Sequence, residues 1–405
     1  MATTAITGAR VFDGEKTLGV RTVVLDGHKI TQVGGEAPGD AEIVDGRGAT
    51  LLPGLIDAHV HSGPGTLALA LRFGVTTELE MQGMNTRENR GHITEDDTVA
   101  DVRSAGFGIT PPGGHPSELM PEGFRPPGNL PREMPLMPFS TTPEEAVAYV
   151  PQLLARGSDY IKFMIDDGSV EGHPGLPMLD QATLNAGVAE ARKYGALTVA
   201  HTLTLDATRM AVEAGVDGVV HVFMDRPHTT EIVELIAGAG MFVVPCVCLD
   251  ASMMGITGDV LADDPRVARR LDSQWEETLR SSYDRYPQGK LEDVLETVRA
   301  LAAAGVDVLA GTDASVAEAF FGGLAHGASL HHELQYLVAA GLTPAQALRA
   351  ATATTARRFG LGDRGRVAEG LRADLLLVDG DPTVTIGDTL NTRAVWRRGT
   401  RLTES

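Results

Sequence analysis

Cysteine is nearly absent from this 405-residue chain: there are two, Cys246 and Cys248. They lie two apart in an apolar run, and residues i and i+2 of a strand face one way in a poor geometry for a disulfide. Reduced thiols in a cytosolic protein are therefore expected. Basic residues are also scarce, with 34 Lys and Arg against 54 Asp and Glu, a formal net charge of −20. That balance argues against nucleic acid and anionic membrane surfaces and favours solubility. No apolar run is long enough to span a bilayer. The opening "MATTAITGARVFDGEKTLGV" lacks a basic stretch followed by an apolar core, so no secretory leader is expected and the location is read as cytoplasmic. No internal repeat or low-complexity tract stands out.

What is present is ordinary in bulk, 43% hydrophobic and 22% charged, as in soluble globular proteins. The length allows a large domain with a small companion. Residues 1–53 carry short alternating runs such as "RTVVLDGHKITQVG", closed by Gly or Asp, and residues 365–405 repeat the style in "LRADLLLVDGD" and "TRAVWRRGTRLT". Both termini are expected to build one small β-sandwich domain. Between them, residues 54–364 alternate apolar strand candidates with helical patterns. The strands are expected at 54–62, 74–81, 106–114, 159–166, 196–202, 217–223, 241–248 and 306–313. The helices have clear starts: Thr142 with Pro143 in the first turn, and Asp180 ahead of "QATLNAGVAEARK". Eight such alternations predict an α/β fold, a (β/α)8 TIM barrel. Long connections at 111–140, 249–289 and 314–329 follow strands and should overhang the C-terminal face, where barrel active sites form.

The polar residues at those strand ends form a pattern. His59 and His61 are two apart near the end of the first strand, so their rings share a side. His201 ends the fifth strand, His221 lies near the end of the sixth and Asp313 ends the eighth. Lys162 sits inside the fourth, in "SDYIKFMIDDG". Alternation puts Ile161, Phe163 and Ile165 on one face for packing on helices, and turns Lys162 towards the barrel axis with Tyr160 and Met164. An isolated ammonium there is costly. An isolated His-x-His is weak as a metal signal, whereas four histidines, a lysine and an aspartate at corresponding strand ends describe a metal site.

The stretches "PGLIDAHVH" (53–61), Lys162, His201, His221, "GTDA" (311–314), "LTPAQALRAATATTARRFGL" (342–361) and "GRVAEGLRADLLLVDGDP" (365–382) resemble the amidohydrolase superfamily of metal-dependent hydrolases. The likeness is strongest to its imidazolonepropionase-like, prolidase-like and carboxypeptidase-like branch and runs over essentially the whole chain. It implies two divalent metal ions, with Zn2+ the first choice for an imidazole-rich set. His59, His61 and Asp313 would hold one ion and His201 and His221 the other. Lys162 would be carboxylated and bridge the two, since burial supplies the neutral amine that takes up carbon dioxide. The reaction implied is hydrolysis of a C–N bond (amide, peptide-like, carbamate or cyclic amide) in a small molecule by metal-activated hydroxide, with Asp313 as the catalytic proton carrier. A dipeptidase or carboxypeptidase is one version.

Three further residues are candidate substrate contacts: His115 after the third strand, Arg226 after the sixth, which could pair with a substrate carboxylate, and His326 in the last long connection. The expected partners are the substrate and further copies of the chain in a homo-oligomer. The alternatives are a one-metal heterocycle deaminase, which would not need a bridging lysine, and a non-catalytic metal-binding scaffold, which would not need Asp313. "GVTTELEMQG" departs from the Arg-Asp pair that many relatives carry after the second strand.

Overall fold

The computed structural model describes residues 3–63, 65–119 and 138–403. Residues 120–137, the bulk of the Pro-rich connection expected to overhang the site, lie outside that set.

Strands from both ends of the chain interleave in one eight-stranded sheet. Its seam is an antiparallel pairing of Ala49–Pro53 with Leu375–Asp379, five residue pairs long. One edge of Thr4–Phe12 pairs throughout with Thr17–Asp26. The other edge is divided between Glu42–Asp45, against Thr4 to Thr7, and Ala49–Pro53, against Arg10 and Val11. The register of Thr4–Phe12 slips between Ile6 and Ala9, where Gly8 takes a φ of 75°. Such a slip bends and twists the strand. The expected two-sheet sandwich is therefore corrected to a single sheet around its own core, which includes Ile6, Val23, Leu51, Leu375 and Trp396.

After Gly54 the pattern changes. Parallel strands Leu55–Val60, Val75–Glu80 and Asp101–Ser104 form one arc, and Ile161–Met164, Thr198–His201, Gly218–Val220, Phe242–Val244 and Asp307–Val308 form a second. The arcs meet at both edges. The amide of Ile109 donates to Lys162 O at 2.8 Å and that of Met164 to Ile109 O at 3.0 Å, while Ala58 N donates to Ala310 O at 2.9 Å and His61 N to Ala314 O at 2.8 Å. Seven of the eight expected strands contain the observed ones. The third does not: its ladder residues are Asp101–Ser104, and only Ile109 and Thr110 of 106–114 make isolated bridges. The seventh ends early, because Cys246 adopts a φ of 54° and caps the helix Val247–Met253. The two cysteines thus share no strand, and both are free and buried.

The helices flanking Ile161–Met164 fix the orientation of Lys162. Thr142 accepts from the amide of Glu145 ahead of helix Pro143–Ala155, and Asp180 accepts from that of Thr183 ahead of Gln181–Lys193, each satisfying an orphan donor of the first turn. Phe163 packs against the second helix at Gly187, where a Cβ would come within 2.6 Å of its Cε1. With Phe163 held outward, alternation sends Lys162 and Met164 inward. The connection at 249–289 holds four short helices, Val247–Met253, Asp259–Ala262, Pro265–Ala268 and Ser273–Leu279. Among the described residues no helix is long and apolar enough to cross a membrane.

Candidate metal centre

Lone-pair donors converge at the C-terminal ends of the parallel strands. Asp313 Oδ1 lies 2.9 Å from His61 Nε2 and 3.1 Å from His59 Nε2, and Asp313 Oδ2 lies 3.9 Å from His221 Nε2. These contacts are close but not aligned as hydrogen bonds, and Asp313 Oδ1 and His221 Nδ1 are buried without a hydrogen-bond partner. Buried polar atoms are normally satisfied. Burial also holds His59 near a pKa of about 3 and His201 and His221 well below the usual histidine range. Neutral imidazoles facing a carboxylate are the ligating forms for a divalent cation. These residues therefore fit a metal ion better than they fit one another.

The rings are aimed by atoms pointing away from the centre. His61 Nδ1 meets the carbonyl of Gln82 at 3.0 Å, and His201 Nε2 meets Asp166 Oδ2 at 2.8 Å. This is the outer support that metal-ligating histidines use to fix tautomer and ring plane. Asp57 ties the first strand to the eighth: its carboxylate accepts from the amides of His59 and Thr312, both at 3.1 Å, and from Thr312 Oγ1 at 2.8 Å. Substituting Asp166→Asn is expected to weaken metal retention by about 10–100-fold, read by competition with a graded chelator; unchanged retention would remove Asp166 from that role.

Lys162 is 1% exposed. Its Nζ lies 3.4 Å from His59 Nε2, and burial brings its pKa down to about 8 although Asp313 opposes the shift. Neutral amine is thus available near neutral pH. Backbone strain gathers here too. Five described non-glycine residues have positive φ, and three of them, His221 (71°), Cys246 (54°) and Asp313 (62°), border the centre. Each such conformation costs on the order of 1–3 kcal/mol and persists where the surroundings impose it. Cys246 Sγ lies 3.4 Å from His59 Nδ1.

Above the donors opens a cavity of about 630 Å³. His115 forms part of its wall, stacked on His201 with ring centroids 4.2 Å apart and planes 20° apart. Its Nδ1 is bonded to Glu118 Oε1. Burial works against protonation of His115, but Glu118 outweighs it and raises the pKa to about 9.

Residues 50–402 match the model of the amidohydrolase family. The chain belongs to that family. It is accordingly a hydrolase acting on C–N bonds. An imidazolonepropionase from Rubrobacter xylanophilus is 25% identical, over 88% of this chain and 84% of its own. An adenine deaminase from Lysinibacillus sphaericus is 36% identical, over 77 residues only; the match spans 19% of this chain and 12% of that relative's length. Among solved structures, a Xaa-Pro dipeptidase with bound methionine superposes with a TM-score of 0.75 at 22% identity, over the full length of both chains.

In this family member the six expected ligands and His115 all line one cavity. The other two expected substrate contacts do not. Arg226 is half exposed and paired with Asp225 at 2.7 Å and Asp206 at 3.4 Å, so neighbouring acids hold it on the surface. His326 is fully buried, with Nδ1 on Glu78 Oε1 and Nε2 on the Ser315 carbonyl, both at 2.8 Å. Both of its nitrogens are committed, so it supports the second strand rather than a substrate. Glu78 and Glu80 stand in the departing "ELEM" stretch. Glu80 accepts from Asn85 and Ser104, and burial raises its pKa. Sequence reasoning missed Asp166, Glu118 and Glu171, none of which belongs to the pattern of polar residues at strand ends. The one available signal was position, since Asp166 and Glu171 closely follow the strand of Lys162.

Proposed function

We propose that this amidohydrolase is a binuclear metal-dependent enzyme, built on a (β/α)8 barrel with a small β domain from both termini, that cleaves an amide, peptide-like, carbamate or cyclic amide bond of a small molecule. The observation that carries the reading is the buried Lys162 beside His59, at the centre of two histidine pairs and Asp313. His59, His61 and Asp313 would hold one ion, His201 and His221 the other, and a carboxylated Lys162 both. Two such cations supply a water acidic enough to attack near neutral pH and a Lewis acid for the substrate carbonyl.

The chain's own groups do the rest. Asp313 is ionised at neutral pH: burial alone would raise its pKa, but His59 and His61 hold it well below the carboxylate range. Its carboxylate, 13% exposed towards the cavity, can take the proton of the attacking water and return it to the departing nitrogen. His115, which lines the cavity with Nδ1 on Glu118, would donate a hydrogen bond to the carbonyl oxygen as negative charge develops there. A one-metal deaminase would leave Lys162 buried without a purpose.

The test is metal removal and return. Chelation should lower turnover of a Xaa-Pro dipeptide or an imidazolone, the compound types named in the relatives, by at least about 100-fold. Zn2+ should restore it only as the content approaches two ions per chain. Full turnover in metal-free protein, or full recovery at one ion, would end the binuclear reading.

A further inference from the structure

We infer that the cavity carries a cation-binding subsite, formed by Glu118 and Glu171, that selects substrates bearing an ammonium or guanidinium group. The inference rests on the hydrolase reading for the word substrate, but the subsite itself follows from the cavity wall. Glu171 is 5% exposed and the Glu118 side chain 3% exposed, and both line the cavity. In each, Oε2 is buried without a hydrogen-bond partner. A buried carboxyl oxygen with no partner is among the costlier polar groups to leave unmatched.

The cavity offers no cation of its own to answer them fully. Among the described lining residues none is arginine, and the one lysine is Lys162 on the floor. His115 engages Glu118 through Oε1 alone, so Oε2 of Glu118 and Oε2 of Glu171 both remain unanswered. At the mouth, Phe320 and Phe321 lie 4.0 Å apart and Tyr283 meets Phe321 edge-on at 5.8 Å. Aromatic rings and carboxyl groups lining the same cavity suit an organic cation, which can gain from both.

A third metal ion suits the same residues less well, although donor atoms of His115, Glu171 and His201 lie within 4.8 Å of one another. The two imidazoles are stacked, so their lone pairs lie in two nearly parallel planes and are poorly set to converge on one ion. Each ring also already spends one nitrogen on a carboxylate, Glu118 or Asp166.

Calorimetric titration of the metal-replete full chain tests the subsite without requiring turnover. The probes are 2-phenylethylammonium chloride and the uncharged 2-phenylethanol. The ammonium should bind about tenfold or more tightly than the alcohol, and Glu171→Gln should erase that preference without changing affinity for the alcohol. Should Glu171→Gln lose its melting transition or its metal, Glu118→Gln serves in its place. Equal affinities in the native chain would overturn the subsite. So would a preference that survives the substitution, which marks an amine on the metals, or uptake of a third Zn2+ that the substitution abolishes. Intact ammonium binding in a protein that hydrolyses no amide would sink the hydrolase reading and leave the subsite standing.

Discussion

Substituting Asp313→Asn is expected to lower kcat by about 1,000-fold while leaving most of the metal in place. The substitution keeps a carbonyl oxygen where the carboxylate faces Nε2 of His59 and His61, at 3.1 and 2.9 Å, so one donor to the ion survives. What it removes is the basic site. General acid–base catalysis contributes about 10²–10⁴-fold, and among the described residues Asp313 is the one aspartate lining the cavity. The fixed geometry should also survive, because Asp313 N donates to the His59 carbonyl at 2.8 Å and the local φ of 62° is one that asparagine tolerates well. Steady-state kinetics paired with elemental analysis of the variant decide the matter. Near-normal turnover would remove Asp313 as proton carrier, and loss of both ions would make it a structural ligand first.

The same residue shows why the candidate site could be picked out in the sequence. Strand alternation and the chemistry of histidine, lysine and aspartate are local properties, so they survive in a one-dimensional reading. His59, His61, His201, His221 and Asp313 fall at or near the ends of apolar runs, Lys162 sits inside one, and each lines the cavity. The third strand was illegible for the opposite reason. Its residues, Asp-Val-Arg-Ser at 101–104, look like a charged loop. Asp101 is nevertheless fully buried, paired with Arg364 at 2.5 Å and Arg372 at 3.0 Å, more than 250 residues downstream. No hydropathy pattern reports a partner that distant. Arg226 failed in the mirror-image way: it sits at the right place after a strand, but adjacent Asp225 turns it to the surface. The register slip near Gly8 in the first strand is likewise unmarked by alternation alone. Glu118 and Glu171 gain meaning only from the cavity wall they share.

Replacing Lys162→Met separates catalysis from stability. Methionine has a similar length and fills the same volume, but it can be neither carboxylated nor charged. Turnover should fall by about 1,000-fold, comparable to removing a preorganised charge-stabilising group, and the metal content should drop from two ions per chain towards one. Excess bicarbonate should raise metal uptake in the native chain and leave the variant unmoved. Metal-free protein should show the opposite trend in stability. The folded-state pKa of Lys162 lies at about 8, below its ordinary value of 10.5, chiefly through burial. The unfolded chain therefore binds the extra proton between those two values, so stability rises with pH across that window and carries the full penalty below it. Removing the amine should relieve a penalty on the order of 3 kcal/mol at neutral pH and flatten that part of the pH profile. Metal-free Lys162→Met should thus melt higher than metal-free native protein at pH 7, and the gap should close towards pH 10.5. A variant that melts lower at pH 7, or one that keeps two ions and full turnover, would show that the buried amine is neither a strained group nor a bridge.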